Sequence, residues 1–214
     1  MTTEAAFWNE HAERYSRKPV ANPDAFERKI EITKSRMNPD HVVLDIGCGT
    51  GSLALRLAPF GREVHGLDVS SEMVRIANEK TQAQGVGNVH FHTGLLDETF
   101  TAFGDASLDG ICAYSILHLV PDRVAALAQI HRMLKPGGFF VSSTVCLGES
   151  WVPYSVLLTV MRWLGKAPPV SIFSKATLRD DMERAGFVDI SQPDVGAKNE
   201  IGFMVASKPA NAAG

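Results

Sequence analysis

Two acidic residues and three glycines carry the densest chemistry in this sequence. Asp45-Ile46-Gly47-Cys48-Gly49-Thr50-Gly51 follows the apolar run Val42-Val43-Leu44 and leads into Ser52-Leu53-Ala54-Leu55-Arg56-Leu57-Ala58, which has helical spacing. A buried strand that turns through glycines into a helix offers a ligand bare backbone at the carboxyl end of that strand. Asp68 ends a second apolar run, seventeen positions beyond Gly51, where a carboxylate accepts hydrogen bonds from ribose hydroxyls. A dinucleotide fingerprint needs its third glycine at position 52, which is Ser52, and a phosphate-cradling loop needs a Lys that Ser52-Leu53 lacks. Asp45 would also repel a pyrophosphate. The pattern thus points to a nucleoside and speaks against a phosphate at the turn.

Asp45 to Gly51 resembles the first motif of the class I, Rossmann-like, S-adenosylmethionine-dependent methyltransferases. Further matches follow in the family's order from about Val42 to Ser207, and Phe7-Trp8-x-x-x-Ala12-x-x-Tyr15 resembles the amino end of its small-molecule group. The resemblance implies S-adenosylmethionine as cofactor and S-adenosylhomocysteine as product. It places Asp45 at the ammonium end of the methionine moiety, Gly47, Cys48, Gly49 and Gly51 in the turn, and Asp68 with Val69 at the ribose. Met73 falls against adenine, Ser115 beside the cofactor, and Tyr15 near its carboxylate with Trp8 behind. The family's Gly-Asp after the third strand is here Gly94-Leu95-Leu96-Asp97. That leaves backbone groups of Leu95 and Leu96, or Asp97 reaching back, for adenine. Ser107-Leu108-Asp109-Gly110-Ile111 and Leu134-Lys135-Pro136-Gly137-Gly138 match two further landmarks of the fold.

Methyl transfer from a sulfonium is an in-line displacement, for which a protein chiefly holds two groups together and excludes water. A general base is needed only where the acceptor must lose a proton. His118, in Tyr114-Ser115-Ile116-Leu117-His118-Leu119, is the candidate base, and a packing role is the competing reading. Residues 149–173 carry Trp151, Tyr154, Leu157, Met161 and Trp163 at helical spacing. They are expected to form a helical cap, with a homodimer contact as the alternative. An aromatic cap suits a small apolar or aromatic acceptor, bound near Tyr15, His118, Trp151 and Tyr154. A catalytically weak nucleoside-binding relative is the main rival. A nicotinamide-dependent oxidoreductase is disfavoured by Asp45 and Ser52. His90 and His92 share one face of a strand without a third ligand in register, so no metal site is expected.

The elements that must position these residues read as helices at 4–16 and 24–37, then strands at 42–46, 63–67, 88–93, 108–113, 139–143, 187–190 and 202–207. Helices fall between them at about 70–83, 121–134 and 177–184, and Lys135 to Gly138 reads as a stop and turn. The expected fold is α/β: a doubly wound, mainly parallel seven-stranded sheet with an antiparallel last strand, N-terminal helices over residues 1–40 and a helical cap insertion. One methyltransferase domain is expected over the 214 residues. The net charge of −3 gives no field favouring nucleic acid. Cys48, Cys112 and Cys146 read as buried thiols. With no signal peptide and no apolar run long enough to span a bilayer, a cytoplasmic location is expected.

Overall fold

Strand β1 (Val42–Ile46) is buried along its whole length, as a continuous apolar run with helices on both faces must be. The structure, a computed structural model, describes residues 3–97, 100–148, 154, 161, 163 and 168–210. Two helices, α1 (Thr3–Ser16) and α2 (Pro23–Lys34), precede β1. After it come α3 (Ser52–Leu57), β2 (Glu63–Asp68), α4 (Ser71–Gln84), β3 (Val89–Thr93), β4 (Leu108–Tyr114) and α5 (Arg123–Met133). The chain continues through β5 (Leu134–Val145), α6 (Lys175–Arg184), β6 (Val188–Ser191) and β7 (Ile201–Ser207). The seven strands lie in the order β3-β2-β1-β4-β5-β7-β6. β1 pairs in parallel with both β2 and β4, whereas β7 runs antiparallel to β5 and β6. The winding direction reverses at β1, so a crevice opens between the carboxyl ends of β1 and β4, where ligands of such sheets bind.

Alternate residues of the strands feed two cores. Leu44, Ile111, Phe140 and Met204 pack with Leu127, Ile130 and Met133 of α5 and with Leu178 and Met182 of α6. Val43, Val64, Val141 and Val205 pack on the other face with Ile30 of α2 and with Leu53 and Leu57 of α3. Helix starts follow their caps: the side chains of Asn22, Ser70, Asp122 and Ser174 accept backbone N–H groups at the beginnings of α2, α4, α5 and α6.

Two expectations change. Helix α2 ends at Lys34, three residues early. Lys135 to Gly138 is not a turn ahead of the strand but a bulge inside β5. Leu134 pairs with Leu108, and the next pair is Phe139 with Gly110, so five steps on β5 oppose two on β4. Gly137 takes a left-handed φ of 78°. The bulge is tied to the far side: Gly137 N–H donates to the Lys208 carbonyl, and Lys208 N–H donates to that of Gly138. The expected cap lies mostly outside the described residues, Trp151 among them. Tyr154 is helical and half-buried, and Trp163 is 85% exposed. Among the described residues no helix is long and apolar enough to cross a membrane.

Candidate functional site

The turn after β1 is anchored by one carbonyl. Leu67 of β2 accepts the N–H of Gly47 at 2.7 Å and of Cys48 at 3.1 Å. Two of its glycines are demanded by packing: a Cβ on Gly47 would lie 2.8 Å from Ile116, and one on Gly51 would lie 2.6 Å from the Phe91 ring. All three glycines of the turn hold positive φ. Gly49 differs in its packing, since a Cβ there would meet only Tyr15, at 3.6 Å. Its bare backbone faces a cavity of about 710 Å³ at the carboxyl ends of β1, β2 and β4.

Asp68 is fixed at the rim of that cavity. Oδ2 accepts the Gly49 N–H and Oδ1 the Ser70 N–H, both at 2.9 Å. Burial raises its carboxyl above the usual range, and the backbone donors pull it partly back. Asp45, 2% exposed beneath the turn, is raised well above that range by burial and then by the Asp68 charge. The same two carboxylates, after burial, push the Cys48 thiol and the Tyr15 phenol up. Cys48 is therefore held as a neutral thiol in the turn. The cavity wall carries Glu4, Asp68, Asp97 and Asp122 against Arg132, which is itself paired with Asp105. Such a seat suits a cationic ligand and disfavours a pyrophosphate.

Of the residues expected at the site, Tyr15, Gly47, Gly49, Asp68, Val69, Met73, Leu95, Leu96 and Ser115 line the cavity. Asp97 and Trp8 join them. Asp45, Cys48, Gly51, His118 and Tyr154 are not among the described lining residues. Asp45 and Cys48 sit behind the wall. His118 is mostly enclosed, its Nδ1 has no hydrogen-bond partner, and burial lowers it to about 4. His90 and His92 stand on the edge strand β3, and His65 of β2 joins them, its Nδ1 3.2 Å from His92 Nε2. No group of side chains arranged to hold a metal ion occurs among the described residues.

A methyltransferase-domain model matches residues 43–138. The O-methyltransferase cnsE of Penicillium expansum is 30% identical over 192 residues, covering 88% of this chain and 66% of that protein. The demethylmenaquinone methyltransferase of Geobacillus kaustophilus is 40% identical over 127 residues, 58% of this chain and 49% of its own. The chain thus spans about half to two thirds of the length of these relatives. Phosphoethanolamine N-methyltransferase 2 of Haemonchus contortus, solved in complex with S-adenosyl-L-methionine, shares the fold with a TM-score of 0.72. The identity there is 19%, over 86% of this chain and 53% of that one.

The chain belongs to the class I S-adenosylmethionine-dependent methyltransferases. The cavity fits that family's cofactor on its own geometry. A carboxylate with both oxygens pre-oriented by backbone donors is ready for a diol, and the Gly49 backbone is open to contact. The acidic wall matches a ligand that carries a sulfonium and an ammonium.

Two polar side chains near this methyltransferase seat have no signal in the sequence. Lys29 of α2 is half-buried, makes no ion pair among the described residues, and donates to Ser143 Oγ at 2.8 Å. Burial lowers its ammonium. Ser143 pairs with Tyr114, which lines the cavity and whose hydroxyl donates to the Lys29 carbonyl at 3.1 Å. Asn9 of α1 reaches Ser70, at the start of α4. Neither residue is a specified position of a motif, and only the packing of the two amino-terminal helices brings them beside the seat.

Proposed function

We propose that this protein transfers the methyl group of S-adenosylmethionine to a small, largely apolar or aromatic molecule by proximity and orientation. The observation that carries this reading is Asp68, gripped by Gly49 and Ser70 at the mouth of the 710 Å³ cavity. When bound, the cofactor supplies a methyl carbon activated by its sulfonium. Asp68 accepts the ribose hydroxyls on the lone pairs its backbone donors leave free. Backbone groups of Leu95 and Leu96, with Asp97, meet adenine, and Met73 packs on its ring. Asp45 acts on the ammonium through its field or through water. Tyr15 and Trp8 exclude water from above.

No proton transfer is assigned to His118. Held near 4, it is a weak base, and Leu119 and Ile116 stand in the wall where it does not. Holding a nucleophile in line with the methyl group is by itself worth roughly 7–11 kcal/mol of barrier. We place acceptor choice in residues 149–173, with Trp151 and Tyr154, and in the wall formed by Leu119, Val120 and Pro121. A homodimer contact through the same segment is the alternative use of its apolar face. The relatives above are named for different acceptors, a demethylmenaquinone in one and phosphoethanolamine in another, and the apolar wall favours the first kind here. A methyl-donor assay over a panel of phenols, hydroquinones and small amines tests this. Transfer to a phenol or hydroquinone supports it, and transfer confined to proteins or nucleic acids overturns it.

A further inference from the structure

Helix α1 meets the rest of the molecule chiefly through α4. Its apolar contacts form a separate small cluster: Ala12, fully buried, packs with Met73 and Ile76 of α4, and Trp8 covers them. This cluster belongs to neither sheet core. Yet α1 spans the cofactor seat, since Glu4, Trp8 and Tyr15 all line the cavity. A helix that covers a seat while resting on so little apolar surface depends strongly on its polar contacts.

Those contacts converge on the turn that carries Asp68. Asn9 Oδ1 accepts the Ser70 hydroxyl at 2.7 Å and stands 3.3 Å from the Glu72 N–H, which also donates to it. The Ser70 oxygen in turn accepts the Met73 N–H at 3.1 Å and caps α4. Ser70 N–H donates to Asp68 Oδ1, and Gly49 N–H donates to Asp68 Oδ2. Tyr15, two turns further along α1, closes over Gly49. A continuous path therefore runs from α1 through Asn9, Ser70 and Asp68 to the glycine turn, and Tyr15 of the same helix meets its end. On the surface, Arg75 bridges Glu13 of α1 to Glu72 and Glu79 of α4, an exposed network that salt screens.

We propose that Asn9 is a positioning residue: it latches α1 onto the Ser70 hydroxyl, so that the α1 cover and the ribose-binding orientation of Asp68 are set together. This rests on the proposed methyl-transfer reading, because Asp68 is taken as the ribose acceptor. The latch asks for an acceptor of this length at position 9, aimed at a helix N-terminus. Aspartate supplies one and suits the helix dipole, and alanine does not. Cofactor bound beneath α1 would hold the latch shut, and an open latch would let it leave.

The test compares wild type, Asn9→Ala and Asn9→Asp in the full chain. S-adenosylmethionine binding is measured by calorimetry, and trypsin cleavage after Arg14 and Arg17 is followed with and without cofactor. Asn9→Ala is expected to weaken binding about tenfold and to speed cleavage severalfold in the absence of cofactor, while Asn9→Asp restores both to within about threefold of wild type. Hydrogen exchange at the Ser70 and Met73 amides is read on the same samples, which separates an opened latch from a chain that has not folded. If Asn9→Ala binds and is cleaved as wild type is, or if Asn9→Asp behaves as Asn9→Ala does, the latch is overturned. If wild type itself fails to bind S-adenosylmethionine, the functional reading fails instead. The cofactor-free cleavage rates still decide whether Asn9 holds α1 down.

Discussion

Asp68 is where residue chemistry and function meet most closely. Asp68→Ala removes the acceptor for two backbone N–H groups and for the ribose, so S-adenosylmethionine affinity should fall about 10- to 100-fold with the far-ultraviolet circular dichroism unchanged. Asp68 and Asp45 also set a pH dependence. Their raised carboxyls bind protons in the folded chain that the unfolded chain has already lost. They therefore draw down stability as pH rises through their folded titration, and ionisation makes the seat more attractive to a cation. Calorimetry should show binding that strengthens as pH rises above the ordinary carboxylate range; a flat or falling profile would contradict the electrostatic account. His118 titrates the other way. Depressed to about 4 from an ordinary value of 6.5, it leaves the unfolded chain binding the extra proton between those limits. Its contribution to stability is complete above about pH 6.5 and lost as pH falls to about 4, on the order of 3 kcal/mol. His118→Asn should flatten that part of the urea-denaturation profile and leave kcat within about threefold of wild type.

Among the elements, the turn after β1 shows how much of a site a sequence can carry. Gly47, Gly49, Gly51 and Asp68 were readable because close backbone approach and ribose binding constrain residue type at fixed spacing. The different jobs of the three glycines were not readable, since Ile116 and Phe91, which crowd Gly47 and Gly51, arrive from distant parts of the chain. Gly51→Ala combines a positive φ with a clash on Phe91 and Ala77 and should destabilise by about 2–4 kcal/mol in urea denaturation. The continuous apolar runs marked the strands because burial on both faces leaves that signature. The bulge in β5 escaped because Lys-Pro-Gly-Gly has turn chemistry whether it ends a strand or kinks one, and only pairing with Lys208 decides. Lys29 and Asn9 escaped for a related reason: each is an ordinary polar residue on a helix surface until the helix is docked.

For the molecule as a whole, the doubly wound order explains why one crevice collects residues from β1, β2, β4, α1 and α5. Parallel strands alternating with helices were legible, and the antiparallel β7 was foreseen from close strand spacing and family resemblance. The strand order itself is a long-range property that no local pattern encodes. A ligand that binds only the assembled seat should stabilise the entire chain. At one hundred times its dissociation constant, S-adenosylmethionine should add about 2.7 kcal/mol, and the melting temperature should rise by about 5–10 °C.

The nucleoside that enters the cavity decides what the protein does. Parallel calorimetric titrations with S-adenosylmethionine and NAD put that to a single measurement. We predict saturable binding of S-adenosylmethionine at one molecule per chain, and no heat from NAD, whose pyrophosphate would meet Asp68 and Asp97 in the cavity wall. Binding of NAD without binding of S-adenosylmethionine would contradict it.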